Sequence, residues 1–354
     1  MLRNKISSGD MRLHTAAAYL VAGRRGITRL WLQARTRICP QREWRSHRPH
    51  SPMGKAQRWF YFCLLHAVLA HCPRIIWHAP VLALATVRTV ADASCSRRLT
   101  RDLCMACGIP ATWRNRFRLQ WERCYQHEAD LLLGLQVARL TPEWAAAHIQ
   151  CDGGLPPGGA ILVTPHHANM RLGILRIVAM VEKIGAITGE PRDPAQFAGA
   201  DPTFQRLWEQ ERPLAERVYA GRIFHRAEAG RKGLRLLQEG GYLIILADDL
   251  SFAGPPQPLL GRTVRLPRGP LWFAEHSDKP IIPFMVMPMH REWRLWIGDP
   301  IAATRDGLMY ALEQCIGRAP ASWDRIIAMI WAQSPAWPMD GDDNGGANAH
   351  RNAC

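Results

Sequence analysis

Two short apolar runs, each ending in residues that can do chemistry, constrain this chain more than anything else in it. ILVTP (161–165) runs straight into His166 and His167, and YLIILADD (242–249) closes on Asp248 and Asp249. Between them lie LGILRIVAMVEKIG, AITG and GRKGLRLLQEGG, so short apolar segments alternate with stretches of helical spacing. That alternation is the mark of an α/β layer, and strand ends are where such layers present their active groups. Further on, IIPFMVMPMH (281–290) and RLWIGDPI (294–301) stand close enough to form a hairpin or adjacent strands.

The rest of the chain is organised around this layer. Residues 1–52 are Arg-rich and irregular, a basic leader that is either a disordered arm or sequence upstream of a start at Met53. Helical spacing dominates from residue 59 to 148, with Trp121, Leu131, Leu132, Leu135 and Val137 marking one apolar face, so residues 53–150 are expected to be a helical lead-in. The GGLPPGG loop then opens an α/β domain over 151–338, and the polar, Gly-rich residues 339–354 read as a disordered tail.

No run reaches the roughly 18–20 uninterrupted apolar residues that span a bilayer. PVLALATVRTVA (80–91) reads as a core helix introduced by Pro80. WFYFCLLHAVLAHC (59–72) sits behind Lys55 and Arg58 and is aromatic-rich, which suits a core helix and an interfacial membrane anchor equally.

Composition narrows the partners. Lys and Arg number 45 against 30 Asp and Glu, a net charge of +15 that favours an anionic partner: nucleic acid, membrane phosphate or an acidic carrier. The excess is concentrated in residues 1–52, which hold 11 basic and 2 acidic side chains. No helix-turn-helix, paired zinc ligands or RNA-binding signature accompanies it, so nucleic acid is set aside. The ten cysteines are unevenly scattered, which argues against a disulfide framework and for idle thiols in a reducing compartment. Cys104 and Cys107 form a single CxxC without a second pair at ligand spacing, so no metal site is expected.

The histidines after the first strand carry the chemistry. An imidazole at such a strand end takes a proton from a hydroxyl nucleophile if its other ring nitrogen is held by a carboxylate or a backbone carbonyl. Taken alone, the segment also allows a loop histidine of no consequence. The downstream segments change that balance. HHANMRLG, read at His166, Asn169, Leu172 and Gly173, is similar to the HFGNWELG stretch of the bacterial lipid A biosynthesis acyltransferases, the late acyltransferases of the lysophospholipid acyltransferase superfamily. GLRLLQEGGYLIILADD resembles that family's helix, Gly-Gly turn, strand and Asp, with Asp248 at the acidic position. Gly261, Arg262, Pro267, Gly269, Ala274, Pro280 and Pro283 follow in the family's order, and Pro320 and Trp323 match a late P-x-x-W. The resemblance runs from about Met53 to Trp331.

The resemblance implies a mixed sheet flanked by helices, with a helical N-terminal lead-in. It also implies transfer of a fatty acyl group from an acyl carrier protein or coenzyme A thioester to a hydroxyl of a lipid A-like or other lipid or glycan acceptor. His166 would be the general base, with no cofactor, no metal and no covalent enzyme intermediate. The setting implied is the cytoplasmic face of the inner membrane, with peripheral or interfacial attachment to an anionic surface.

The chain departs from this family at one position. The motif places Asp or Glu five residues after the histidine, to orient the imidazole; this chain has Arg171, and starting from His167 meets Leu172. A guanidinium cannot accept the imidazole N–H, and its charge disfavours the imidazolium. Asp248, Asp249 or Glu190 is therefore expected to supply the carboxylate from across the site, while Arg171, opposed to the dipole of the helix it begins, grips an anionic part of donor or acceptor. Arg192, Arg262 and Arg268, the last beside Gly269, are further candidates for anion contact, and Asn169 for substrate contact. The alternative is a catalytically degraded relative that keeps the fold to bind lipid or acyl chains.

Overall fold

The structure, a computed structural model, describes residues 68, 74–92, 96–136, 140–188, 222–248, 255–289, 292–324, 327–328, 331–332 and 334–337. The leader, nearly all of 59–72, the tail, and Glu190, Arg192 and Asp249 lie outside them.

Among the described residues, four helices precede the sheet: α1 (Arg74–Asp92), α2 (Arg97–Ala106), α3 (Trp113–Gln136) and α4 (Pro142–His148). Pro80 falls inside α1 instead of opening it, so the helix begins earlier than the apolar run suggests. Thr141 caps α4 by accepting from the Trp144 N–H at 3.2 Å, with Pro142 in the first turn, where its missing N–H costs nothing. Leu132 and Leu133 of α3 are buried, whereas Trp121 is half-buried, stacked on Tyr125 at 5.5 Å and donating its indole N–H to Thr86. The side chains of Leu131 and Leu135, and Val137 altogether, lie outside the described residues.

The α/β layer runs β1 (Ile149–Asp152), β2 (Ala160–Thr164), α5 (Met170–Val178), β3 (Ile184–Thr188), β4 (Ile223–His225), α6 (Arg226–Gln238), β5 (Tyr242–Leu246), β6 (Pro256–Leu259), β7 (Arg262–Arg265), α7 (Gly269–Ser277), β8 (Ile281–Met289), β9 (Glu292–Ile297) and α8 (Arg305–Arg318). Seven strands form one sheet in the order β1-β9-β8-β2-β5-β3-β4, parallel except for the β8–β9 hairpin. β6 and β7 make a separate antiparallel pair, which the sequence did not announce.

β2 and β5 are apolar throughout because both faces of the sheet are covered. Ile161 and Val163 of β2, with Leu243 and Ile245 of β5, point into one core with α6, α7, α8, Trp323 and Trp331. Ala160 and Leu162, with Tyr242 and Ile244, point into the other, with α5, Phe284, Val286 and Leu295.

The described helices of the lead-in contribute to both cores of the sheet. Trp77, Val81, Leu132 and Leu133 belong to the second core and Leu99, Leu103 and Leu119 to the first. The expected boundary at residue 150 also cuts through β1, which pairs in parallel with β9 at the sheet edge. Helical spacing could not reveal this, because the strand is only four residues long.

Candidate active site

β2 is the middle of three neighbouring strands, with β5 on one side and β8 on the other. β2 and β5 run parallel with Thr164 opposite Leu246, and the Ala247 N–H continues the ladder to the Thr164 carbonyl at 3.0 Å. Two residues past that last pair, the same register sets His166 beside Asp248. Asp248 is wholly buried. Its Oδ1 receives both the His166 backbone N–H at 2.8 Å and the imidazole Nδ1 at 2.6 Å, and its Oδ2 receives the Trp323 indole N–H at 2.8 Å.

With the carboxylate accepting, Nδ1 is a protonated nitrogen, and a neutral ring presents its lone pair at Nε2. The His166 side chain is 35 % exposed while its partner is sealed, so the ring is held from inside and reaches solvent at its outer edge.

Of the three candidate carboxylates, Asp248 is the one placed at the imidazole; Asp249 and Glu190 are outside the described residues. Trp323, matched in sequence only as part of P-x-x-W, bonds directly to that carboxylate. Its loop is stitched to the histidine turn by Asp324 N–H to His166 O at 2.8 Å and Ala168 N–H to Ser322 O at 2.7 Å. A late Trp that finds its partner 75 residues away in sequence leaves no local signal.

His167 does structural work. It is buried, its Nδ1 donates to the Pro165 carbonyl at 2.8 Å, and its Nε2 accepts the Val286 N–H at 3.2 Å. A carbonyl can only accept and an amide only donate, so the ring is neutral. Burial accordingly holds its pKa below the ordinary value of 6.5.

Asn169 opens α5 in the left-handed region at φ 64°, a conformation Asn tolerates better than most residues. It is buried, its N–H donates to Asp130 Oδ1 at 2.8 Å, and its side-chain amide donates to Gln126 Oε1 at 2.9 Å. Arg171, in the first turn of α5, directs Nη1 to Asp130 Oδ2 at 3.5 Å. Asp130 on α3, which sequence reading overlooked, thus receives a backbone donor and a cation from the helix start. Nothing in the local sequence EADLLL distinguishes it from a solvated acid on a helix.

The remaining arginines are placed elsewhere. The Arg262 guanidinium donates to the nearly buried Asp102 at 2.7 Å and to the Ser334 carbonyl at 3.1 Å, and lies 5.8 Å from the centre of the Trp331 ring. Those are ties between elements. Arg268 is exposed just before α7, followed by Gly269, at a separate small hollow shared with Leu266, Pro267 and Arg305. Cys104 and Cys107 are free thiols, and Cys107 is pushed up to about 12 by burial, with Cys104 and Glu313 adding to the effect.

Fold and site together define an α/β protein with a histidine–carboxylate pair at the carboxyl ends of adjacent parallel strands, the position where such sheets place reactive groups. Compared with known proteins, the chain matches no family model and no curated protein.

Proposed function

We propose that the protein is an O-acyltransferase that moves a fatty acyl group from an acyl carrier protein or coenzyme A thioester to a hydroxyl of a lipid or glycan acceptor. His166 Nε2 removes the acceptor proton as the oxygen attacks the thioester carbonyl. The tetrahedral intermediate then collapses, the C–S bond breaks, and the imidazolium returns the proton to the departing thiolate. Asp248 holds Nδ1–H and stabilises the positive ring between these two transfers.

The observation that carries this reading is the 2.6 Å contact between His166 Nδ1 and Asp248 Oδ1. A carboxylate from the neighbouring strand stands where the similar family uses one from the following helix, so Arg171 does not deprive the base of its partner.

Peripheral attachment to an anionic membrane surface at the inner-membrane cytoplasmic face belongs to the same proposal. It is supported by Trp113 and Phe117, 74% and 45% exposed one helical turn apart on α3, with Arg114 and Arg118 beside them. Among the described residues no helix is long and apolar enough to cross a membrane.

The direct test is thioester consumption and acyl-ester formation by the full chain, offered acyl carrier protein and coenzyme A thioesters with a panel of hydroxylated lipids. His166→Ala is expected to abolish transfer without unfolding the protein, since Asp248 keeps the backbone N–H of residue 166 and the Trp323 indole N–H as donors. Retention of wild-type transfer in that variant overturns the proposal. Lipid binding without turnover in wild type and variant alike would favour the second reading, a degraded relative that binds acyl chains, for which Arg171 at the family's carboxylate position is the supporting observation.

A further inference from the structure

A small cleft opens against the back of the histidine turn, between α1, α2 and α3 on one side and residues 321–324 on the other. It encloses about 80 Å³, several times the roughly 10–15 Å³ that one water needs, so it admits a group of several heavy atoms. Its formal charges balance: Arg88 and Arg123 stand against Asp130 and Asp324, Glu128 on Arg88 at 2.6 Å is offset by Arg171 on Asp130 at 3.5 Å, and His127 completes the titratable lining on α3. Gln120 adds an amide to the same wall. Ser322 also lines it, is 2% exposed, and has an Oγ with no hydrogen-bond partner, although a buried hydroxyl ordinarily finds one.

We propose that this cleft seats an uncharged polyhydroxyl group, a sugar or polyol part of the acceptor that bears no phosphate; as an acceptor site, it rests on the acyl-transfer reading. Hydroxyls both donate and accept, which suits a wall of guanidinium, amide, hydroxyl and carboxylate. A phosphate only accepts, and would face two carboxylates with no net positive field to compensate. The occupant lies against Ala168, Trp323 and Asp324, the residues that stitch or hold the His166 turn.

The test is binding, without any acyl donor, of methyl β-glucoside, glycerol and inorganic phosphate to the full chain, followed by saturation-transfer NMR. The glucoside or glycerol is expected to bind, with phosphate failing to displace it. Ser322→Ala should weaken that binding roughly two- to tenfold while leaving the melting temperature unchanged or raised, because it deletes a hydroxyl that nothing satisfies. Ser322→Leu, which fills the cleft, should abolish it. Phosphate displacing the polyol, no polyol binding at all, or affinity indifferent to both variants overturns the proposal. Because no turnover is involved, polyol binding in a chain that transfers no acyl group would remove the enzymatic reading and leave the site as a binding site.

Discussion

At the scale of single residues, one proton and its holder matter most. Replacing Asp248 by Asn keeps the shape but offers the imidazole a neutral partner and destabilises the required tautomer. By analogy with hydrolase triads, acyl transfer should fall by about 10⁴, measured as initial rates at saturating donor; the amide NH2 must also face one of the three N–H donors that Asp248 accepts, so stability should fall by about 1–3 kcal/mol. Trp323→Phe removes the donor to Asp248 Oδ2 and leaves a buried acceptor unpaired, which should cost about 1–3 kcal/mol in chemical denaturation and lower turnover more than it raises either Michaelis constant. His167 predicts a pH effect on stability rather than rate. Its folded pKa is depressed by burial, so the unfolded chain binds the proton first. Its contribution to stability is complete above about pH 6.5 and is lost as pH falls through the folded value. Melting temperature should drop on acidification below 6.5, and the slope should be shallower in His167→Gln. The sequence places two histidines after the apolar strand but does not say which of them meets a carboxylate; Asp130 and Trp323 act through contacts that no spacing encodes.

Among the elements, the parallel register of β2 and β5 is what brings a carboxylate to the His166 imidazole. Thr164 lies opposite Leu246, and the two chains leave the sheet in step, so His166 and Asp248 meet without any further device. A one-residue deletion within 242–246 would move Asp248 out of step and turn its side chain to the other face, and should abolish activity even in protein that remains folded. The turn is also held down by close packing of α5 on β8. A Cβ on Gly173 would lie 2.5 Å from Val286 Cγ2, so Gly173→Val is expected to destabilise the protein by about 1–3 kcal/mol, read as a lowered denaturation midpoint with unchanged slope. The two main strands, the hairpin of β8 and β9, and the helices around β5 were legible because their apolar periods are strong. β1, β4 and the β6–β7 pair were not. They have three or four residues each and include Pro256 and Pro258, and are strands only because a partner lies alongside.

For the whole molecule, the lead-in helices and the sheet share both cores, so neither part is expected to fold without the other. The tie from Asp102 on α2 to Arg262 on β7 is a sharp probe of that unity. Asp102→Ala leaves the Arg262 guanidinium, 19% exposed, with only the Ser334 carbonyl and the Trp331 ring, and should cost about 1.5–3 kcal/mol in a single cooperative unfolding transition. Two separate transitions would show instead that the lead-in folds independently. Sequence alone determined the α/β class and the buried central strands, since both follow from the local apolar period. Only the tertiary structure decided which carboxylate meets His166, that Arg171 faces Asp130, and that Arg262 joins elements. Those outcomes depend on strand register and on contacts between residues far apart in the chain, and the energy that selects them exists only once both cores have closed.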